Sequence, residues 1–305
     1  MQTTLPRVTR RAPSGPAAVS LSVSRSGEER RRPRRVVGSW LLHLPLILGG
    51  ALMLFPFYWM LTTALKGLEE ASAFPPTLWP TVWMWDNFGR AWQAAPFGRY
   101  LLNTVVVATG QTASVLVTGS LAAYAFARIP FPGKNLLFIC FLGTMMIPVE
   151  VLLVPDFIIL KNLGWYDTYL ALIVPWMTSV FAIFLLRQFF LSIPDELWDA
   201  AQIDGCGRFG FLWRVAVPMA RPGLITVGLL TFHGAWNALL WPLIVTGSPN
   251  MRLLQVGLAA FQSDARVQYH LWMAAATLTM APMLAIFLFA QRYFIDAASR
   301  SGLKG

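Results

Sequence analysis

Six stretches of this 305-residue chain are apolar for long enough to cross a hydrocarbon layer, and no other feature narrows the fold as far. A core of about 30 Å needs about 20 helical residues. Runs of that length cover roughly residues 36–65, 101–127, 136–160, 168–191, 219–245 and 271–294. They are continuously apolar instead of alternating every second residue, which specifies helices and not barrel strands. The expected fold is an all-α integral membrane protein of six transmembrane helices, its spanning part covering about residues 36–298.

Only 12 % of the residues are charged and the mean hydropathy is +0.56, values unsuited to a water-soluble surface. A net charge of +10 could suggest nucleic acid, but its distribution argues otherwise. Nine arginines precede residue 36 against only Glu28 and Glu29, so most of the excess lies in a Ser-, Pro- and Arg-rich leader. Residues 1–35 have too little apolar surface to order and are expected to form a disordered tail that sets topology. The long apolar run that follows lacks an A-x-A-like cleavage site, which predicts an uncleaved anchor.

With the N-terminus inside, eighteen Lys and Arg residues fall on the cytoplasmic side and six outside. Both termini are then cytoplasmic, including a short tail at 299–305. Two longer loops, 66–100 and 246–270, face outward. The first carries Trp79, Trp83, Trp85 and Trp92, which suits a segment at the headgroup level, in contact with membrane lipid.

On the inner side, between the fourth and fifth spans, sits a polar, glycine-broken cassette, DAAQIDGCG, followed by FGFLWRVAVP. Ser192 can cap a helix start, Pro194 suits a first turn, and Asp195 and Glu196 favour the positive end of the helix dipole. A short helix is expected from about Ile193 to Gly205, a residue able to take the left-handed conformation that ends helices. Leu197, Ala200, Ala201 and Asp204 fall at i, i+3, i+4 and i+7, a small-residue face open to a partner groove. Gly207 and Gly210 then lead into a second short helical run.

The order Asp199-Ala200-Ala201, three residues, Gly205, nine residues, Val215-x-Val217-Pro218 resembles the EAA signature of permease subunits of bacterial ATP-binding-cassette importers. Asp199 stands for the usual glutamate. YAFARIPFPGK, MIPVEVLLVPDF, WNALLWPLIV and AQRYFIDAASRSGLKG extend the likeness to the maltose-type carbohydrate subfamily. The resemblance implies a pore subunit in the cell membrane, working with a second permease as a heterodimer, a cytoplasmic ATPase dimer and an extracytoplasmic solute-binding protein. It makes Asp199, Ala200, Ala201, Asp204, Gly205, Gly210 and Pro218 the ATPase-coupling residues. It makes the second outer loop, with Arg252, Gln255, Gln262 and Tyr269, the contact for the binding protein, and sends the C-terminal tail between the ATPase subunits.

Polar residues inside spans usually face a cavity or a neighbouring helix. His233 and Asn237, four apart, with Trp241 nearby, and Asn103 on the second span are the candidate pore-lining residues. The rival reading is a self-contained secondary transporter using Glu150, Asp156 and Asn237. Cys140 and Cys206 form no metal motif, and His43 and His270 stand at no metal-ligand spacing from another donor. Walker, H-E-x-x-H and G-x-S-x-G motifs do not occur, so no metal, cofactor or catalytic residue is expected.

Overall fold

The computed structural model describes residues 37–263 and 268–301, excepting side chains at 37–42, 262–263, 290 and 292–301. The basic leader, the side chain of Gln262 and residues 302–305 lie outside the described residues. Every regular element among the described residues is helical. In chain order these are α1 (Val37–Ala64), α2 (Leu68–Ala71), α3 (Asp86–Gln93), α4 (Phe97–Arg128), α5 (Lys134–Thr144), α6 (Val149–Asn162), α7 (Tyr169–Ile173) and α8 (Val180–Leu191). There follow α9 (Asp195–Ile203), α10 (Arg208–Phe211), α11 (Val217–Met219), α12 (Arg221–Trp236), α13 (Leu240–Val245), α14 (Leu254–Ser263) and α15 (Tyr269–Ser301). The chain divides into two compact units, 1–53 and 54–305. In the first, the described residues are helix; the second holds the sites described below.

Half of the six expected spans are interrupted, among them the third, where Pro148 and Pro155 in the sequence favour a bent helix. Three helices are long and apolar enough to cross a membrane by themselves: His43–Ala64, Phe97–Arg128 and Tyr269–Phe289. Three more candidates are bent pairs: Lys134–Thr144 with Val149–Asn162 at 94°, Tyr169–Trp176 with Val180–Leu191 at 45°, and Arg208–Met219 with Arg221–Trp236 at 80°. Proline explains two of the breaks. Pro148 biases Ile147 away from helix before α6. Pro218 and Pro222 cannot donate to Arg214 and Pro218, so the helical ladder fails on both sides of Ala220. A π-turn at Leu212–Ala216 precedes that bend. The expected fifth span, 219–245, is accordingly α12 and the shorter α13, separated at Asn237–Leu239.

The unbroken α4 is the axis of the second unit, packing against both α8 and α12. Towards its Arg128 end, Tyr124, Phe126, Leu186, Phe190, Phe211 and Leu212 form one buried cluster. At the other end Phe97 and Tyr100 pack with Trp236, Leu254 and Ala274. Between them Val107 joins Leu172, Trp241, Val245 and Leu253. Small residues set these distances: a Cβ on Gly257 of α14 would fall 2.4 Å from the Tyr100 ring.

Candidate functional site

The cassette is a closed helical motif. α9 ends with Gly205 at φ +75, the Gly205 amide donating to the Gln202 carbonyl (3.0 Å) and the Cys206 amide to the Ala201 carbonyl (2.8 Å). This pair of bonds is a Schellman motif, which satisfies carbonyls that a helix end leaves orphaned. The expected turn at Gly205 is thus present. The expected start is corrected: Pro194 occupies the N-cap position without a side-chain cap, and Ser192 Oγ donates backward to the Phe189 carbonyl (2.8 Å), closing α8.

The face expected to be small divides in two. Ala201 packs inward with Trp198 and Cys206 against the cluster around Phe211, the Trp198 and Phe211 rings meeting edge to face at 5.1 Å. Asp199, Ala200, Asp204 and Gly205 are exposed, as is Leu197, and Ile203 beside them is 87 % exposed. Gly210 sits where a Cβ would meet Cys206 Sγ at 2.9 Å, and Pro218 is half-buried in α11.

Arg128, the last residue of α4, brackets the cassette from another part of the chain. Its Nε donates to the Phe190 carbonyl near the end of α8 (3.0 Å), and its two terminal nitrogens reach the Ile193 carbonyl and the Asp195 carboxylate. A guanidinium suits this task because its fork is planar and its charge permanent. In the sequence Arg128 was legible only as one more inner positive charge.

At the far end of α12, polar side chains gather. Asn237 follows the last helical residue and donates from Nδ2 to the His233 carbonyl (2.9 Å), with His233 Nδ1 at 3.3 Å. Its Oδ1 accepts from Gln255 Nε2 (3.3 Å). His233, Asn237 and the adjacent Gly234 are exposed. Gln255, expected only as a loop contact, thereby joins the two candidate pore residues. Trp241 is 5 % exposed; its Nε1 donates to the Ala171 carbonyl (2.9 Å) and its ring meets Trp176 edge to face at 6.3 Å.

Trp176, Ala238 and Trp241 are shared by two neighbouring cavities. One, of about 510 Å³, lies between α4, α8 and α12 and is also lined by Gln111, Ser179 and Thr231. The other, of about 360 Å³, adds Glu150 and Asn237. Glu150 and Asn237 therefore face one space, and Asp156 does not line it.

Asn103 is corrected from a pore residue to a packing residue. It is 0 % exposed, donates from Nδ2 to the Asn250 (2.7 Å) and Arg252 (3.0 Å) carbonyls, and accepts from the Tyr169 hydroxyl (2.6 Å). Beside it Thr104 Oγ1 accepts the Leu254 amide (2.9 Å). The loop bearing Arg252 is thus fastened to α4, and the Tyr269 side chain is exposed near the start of α15.

A second fastening comes from Asp167, which the sequence did not single out. Its backbone is left-handed (φ +61), and its Oδ1 accepts the amides of Gly247 (2.9 Å) and Ser248 (3.1 Å). Partial burial on its own would raise the carboxyl pKa, but hydrogen bonds from Ser248 and Gly247 together hold it below the ordinary value. In the other loop, Lys66 Nζ donates to the Thr77 carbonyl and lies 4.7 Å from the Trp59 ring centre. Burial lowers the Lys66 pKa, with Glu70 opposing. Glu70 in turn accepts from the Thr77 and Thr81 hydroxyls (3.0 and 2.9 Å) and the Thr81 amide.

A helical bundle of broken and unbroken apolar helices, with a polar cassette closed by a Schellman turn and loops fastened by buried polar side chains, is the build of a multi-pass membrane protein. Residues 115–300, more than half the chain, match the family described as the binding-protein-dependent transport system inner membrane component, and the chain belongs to that family. The chain is 37 % identical to the sn-glycerol-3-phosphate transport system permease protein UgpE of Yersinia enterocolitica over 263 residues, covering 83 % of this chain and 93 % of that protein. It is 33 % identical to the diacetylchitobiose uptake system permease protein NgcG of Streptomyces coelicolor over 262 residues, 85 % of this chain and 86 % of that protein. Its fold matches a chain of a bacterial ABC transporter that imports the acidic polysaccharide alginate, with a TM-score of 0.74 at 20 % identity, covering 85 % of this chain and 96 % of the other. None of these likenesses supports a self-contained secondary transporter.

Proposed function

We propose that this chain is one of two permease subunits of a sugar-importing ATP-binding-cassette transporter, contributing half of the translocation pore through six spans. The relatives are named for sn-glycerol-3-phosphate transport and diacetylchitobiose uptake, and the structural neighbour for import of alginate, which supports a carbohydrate or polyol substrate class. The chain crosses the cell membrane with both termini in the cytoplasm, an orientation supported by the Lys and Arg distribution. ATP hydrolysis belongs to a separate ATPase dimer.

The observation that carries this reading is the cassette: a Schellman-closed helix with Asp199, Ala200 and Ile203 turned outward and its base bracketed by Arg128. Such a helix seats in a groove of an ATPase subunit, and closure of the ATPase dimer moves it as a rigid body. His233, Asn237 and Gln255 then face the pathway, and the loop 246–270 meets the solute-binding protein. A related alginate importer is known in complex with a periplasmic binding protein, which supports that partner.

The test is purification of the tagged chain from its own host. Stoichiometric recovery of an ATP-binding-cassette ATPase is expected, and Ala200→Trp should release it while the permease stays in the membrane. An intact complex in Ala200→Trp would remove the docking role from this face. Ligand binding by the cognate solute-binding protein identifies the substrate.

A further inference from the structure

We propose that α4 is a tie-rod, with Arg128 and the Asn103–Thr104 pair as its two end fittings, so that cassette and loop 246–254 move together. The proposal rests on the transporter reading above and names residues that this reading leaves without a role.

The three bent pairs of helices each contain a break of 45° or more, so a displacement at one end need not reach the other. α4 has no break and no proline over its 32 residues. At 1.5 Å per residue it is about 48 Å long, more than a hydrocarbon core of about 30 Å. Asn103 and Arg128 are then about 37 Å apart on one helix.

Each end is fastened to a different functional element by bonds that fix direction as well as distance. At one end Arg128 holds the end of α8, the linker and the start of α9 through three acceptors: Phe190, Ile193 and Asp195. At the other, the buried Asn103 amide holds two carbonyls of the loop, those of Asn250 and Arg252, and Thr104 holds the first amide of α14. Arg99 Nε adds a bond to the same Asn250 carbonyl (3.2 Å). Polar clamps of this kind tolerate sliding poorly, because a shifted carbonyl leaves a buried donor unpaired. A rigid element with two discrete positions can carry energetic coupling between distant sites, and its proof is a perturbation at one end read at the other.

The experiment uses the whole transporter in nanodiscs, with Cys140 and Cys206 replaced by alanine. A nitroxide is placed either on Ile203→Cys, on the cassette, or on Asn250→Cys, whose side chain is exposed and whose carbonyl is retained. Trapping with ATP and vanadate should change both spectra in the otherwise native chain. Arg128→Gln should abolish the response at 250 while the label at 203 still responds, and the isosteric Thr104→Val, which leaves the Asn103 and Arg99 bonds in place, should reduce it. The double variant should lose no more than Arg128→Gln alone. Arg128→Lys keeps the charge but cannot reach three acceptors, and should retain only part of the response. Full assembly of each variant is checked by size-exclusion chromatography. If label 250 responds as before in both Arg128→Gln and Thr104→Val, the tie-rod is wrong although the transporter reading stands. If label 203 is silent to nucleotide in the otherwise native chain, both fall together.

Discussion

Gln255 Nε2 lies 3.3 Å from Asn237 Oδ1, joining α14 to the polar end of α12 across 18 residues of sequence. This contact makes the loop helix part of the wall on which His233 and Asn237 stand. A side chain that moved with the loop would change the polarity of that wall.

Asn237→Leu removes the Gln255 contact and the bond to the His233 carbonyl. At about 1 kcal/mol for each of two hydrogen bonds, uptake should fall about tenfold or more. Radiolabelled uptake in vesicles, with ATPase co-purification as the control, measures it. Gln255→Ala should show a smaller loss in the same direction, and unchanged uptake in both variants would take these residues off the pathway.

Gly205→Ala places a Cβ on a left-handed residue at a cost of about 1–2 kcal/mol. No neighbouring atom lies within 4 Å of that Cβ, so the penalty arises in the backbone alone. The expected outcome is a frayed α9 and ATP hydrolysis without matching uptake. Gly205→Trp should be more severe, and normal substrate-stimulated hydrolysis in that variant would sink the coupling assignment.

Asp167 predicts a pH dependence. Its folded pKa is depressed, so the stabilisation is present above the unfolded pKa of about 3.9 and is lost as pH falls through the lower folded value. Transport between pH 5 and 8 should therefore be insensitive to this group, on the order expected for a carboxylate already ionised there. Asp167→Ala should loosen loop 246–251 at every pH in that range, read as faster amide exchange of Gly247 and Ser248. Unchanged exchange would show that the left-handed turn holds the loop without the carboxylate.

Gly257→Ala tests the packing of α14 on α4. The added methyl overlaps the Tyr100 ring, and overpacking of this kind costs about 1–3 kcal/mol. The midpoint of thermal unfolding in detergent should fall. A matched substitution at exposed Gly143, whose Cβ meets nothing within 4 Å, should change it much less.

The tryptophans of the first loop test its position in the bilayer. Trp79 and Trp85 are 61 % and 64 % exposed, and Trp83 stacks on Trp85 at 6.2 Å. Lipids brominated near the headgroup should quench their fluorescence, and Trp79→Phe with Trp85→Phe should reduce that quenching. Equal quenching in the double variant would move the loop away from the lipid.

The sequence made some features legible because local chemistry alone determines them. A glycine after a short capped helix predicts a left-handed turn wherever the helix lies, and Gly205 has it. Runs of apolar residues similarly reveal helices, but breaks within them depend on prolines whose effect varies with context, as at Pro148, Pro218 and Pro222. Asn103 and Asn237 are alike in sequence, polar residues in apolar runs, yet one is fully buried among carbonyls and the other exposed. Only the packing of distant segments separates them. The same holds for Ala200 and Ala201, adjacent residues that helical rotation sends to opposite environments, and for Arg128, whose acceptors lie more than 60 residues away.

The Arg128 bracket also bears on engineering. Residues 192–218 look like a self-contained module, exchangeable between related chains. Such a graft would carry its own Schellman turn but leave behind the arginine that grips its base. A chimaera built on these boundaries inherits the recipient's residue at the end of α4, so the junction that decides its success lies outside the transplanted segment.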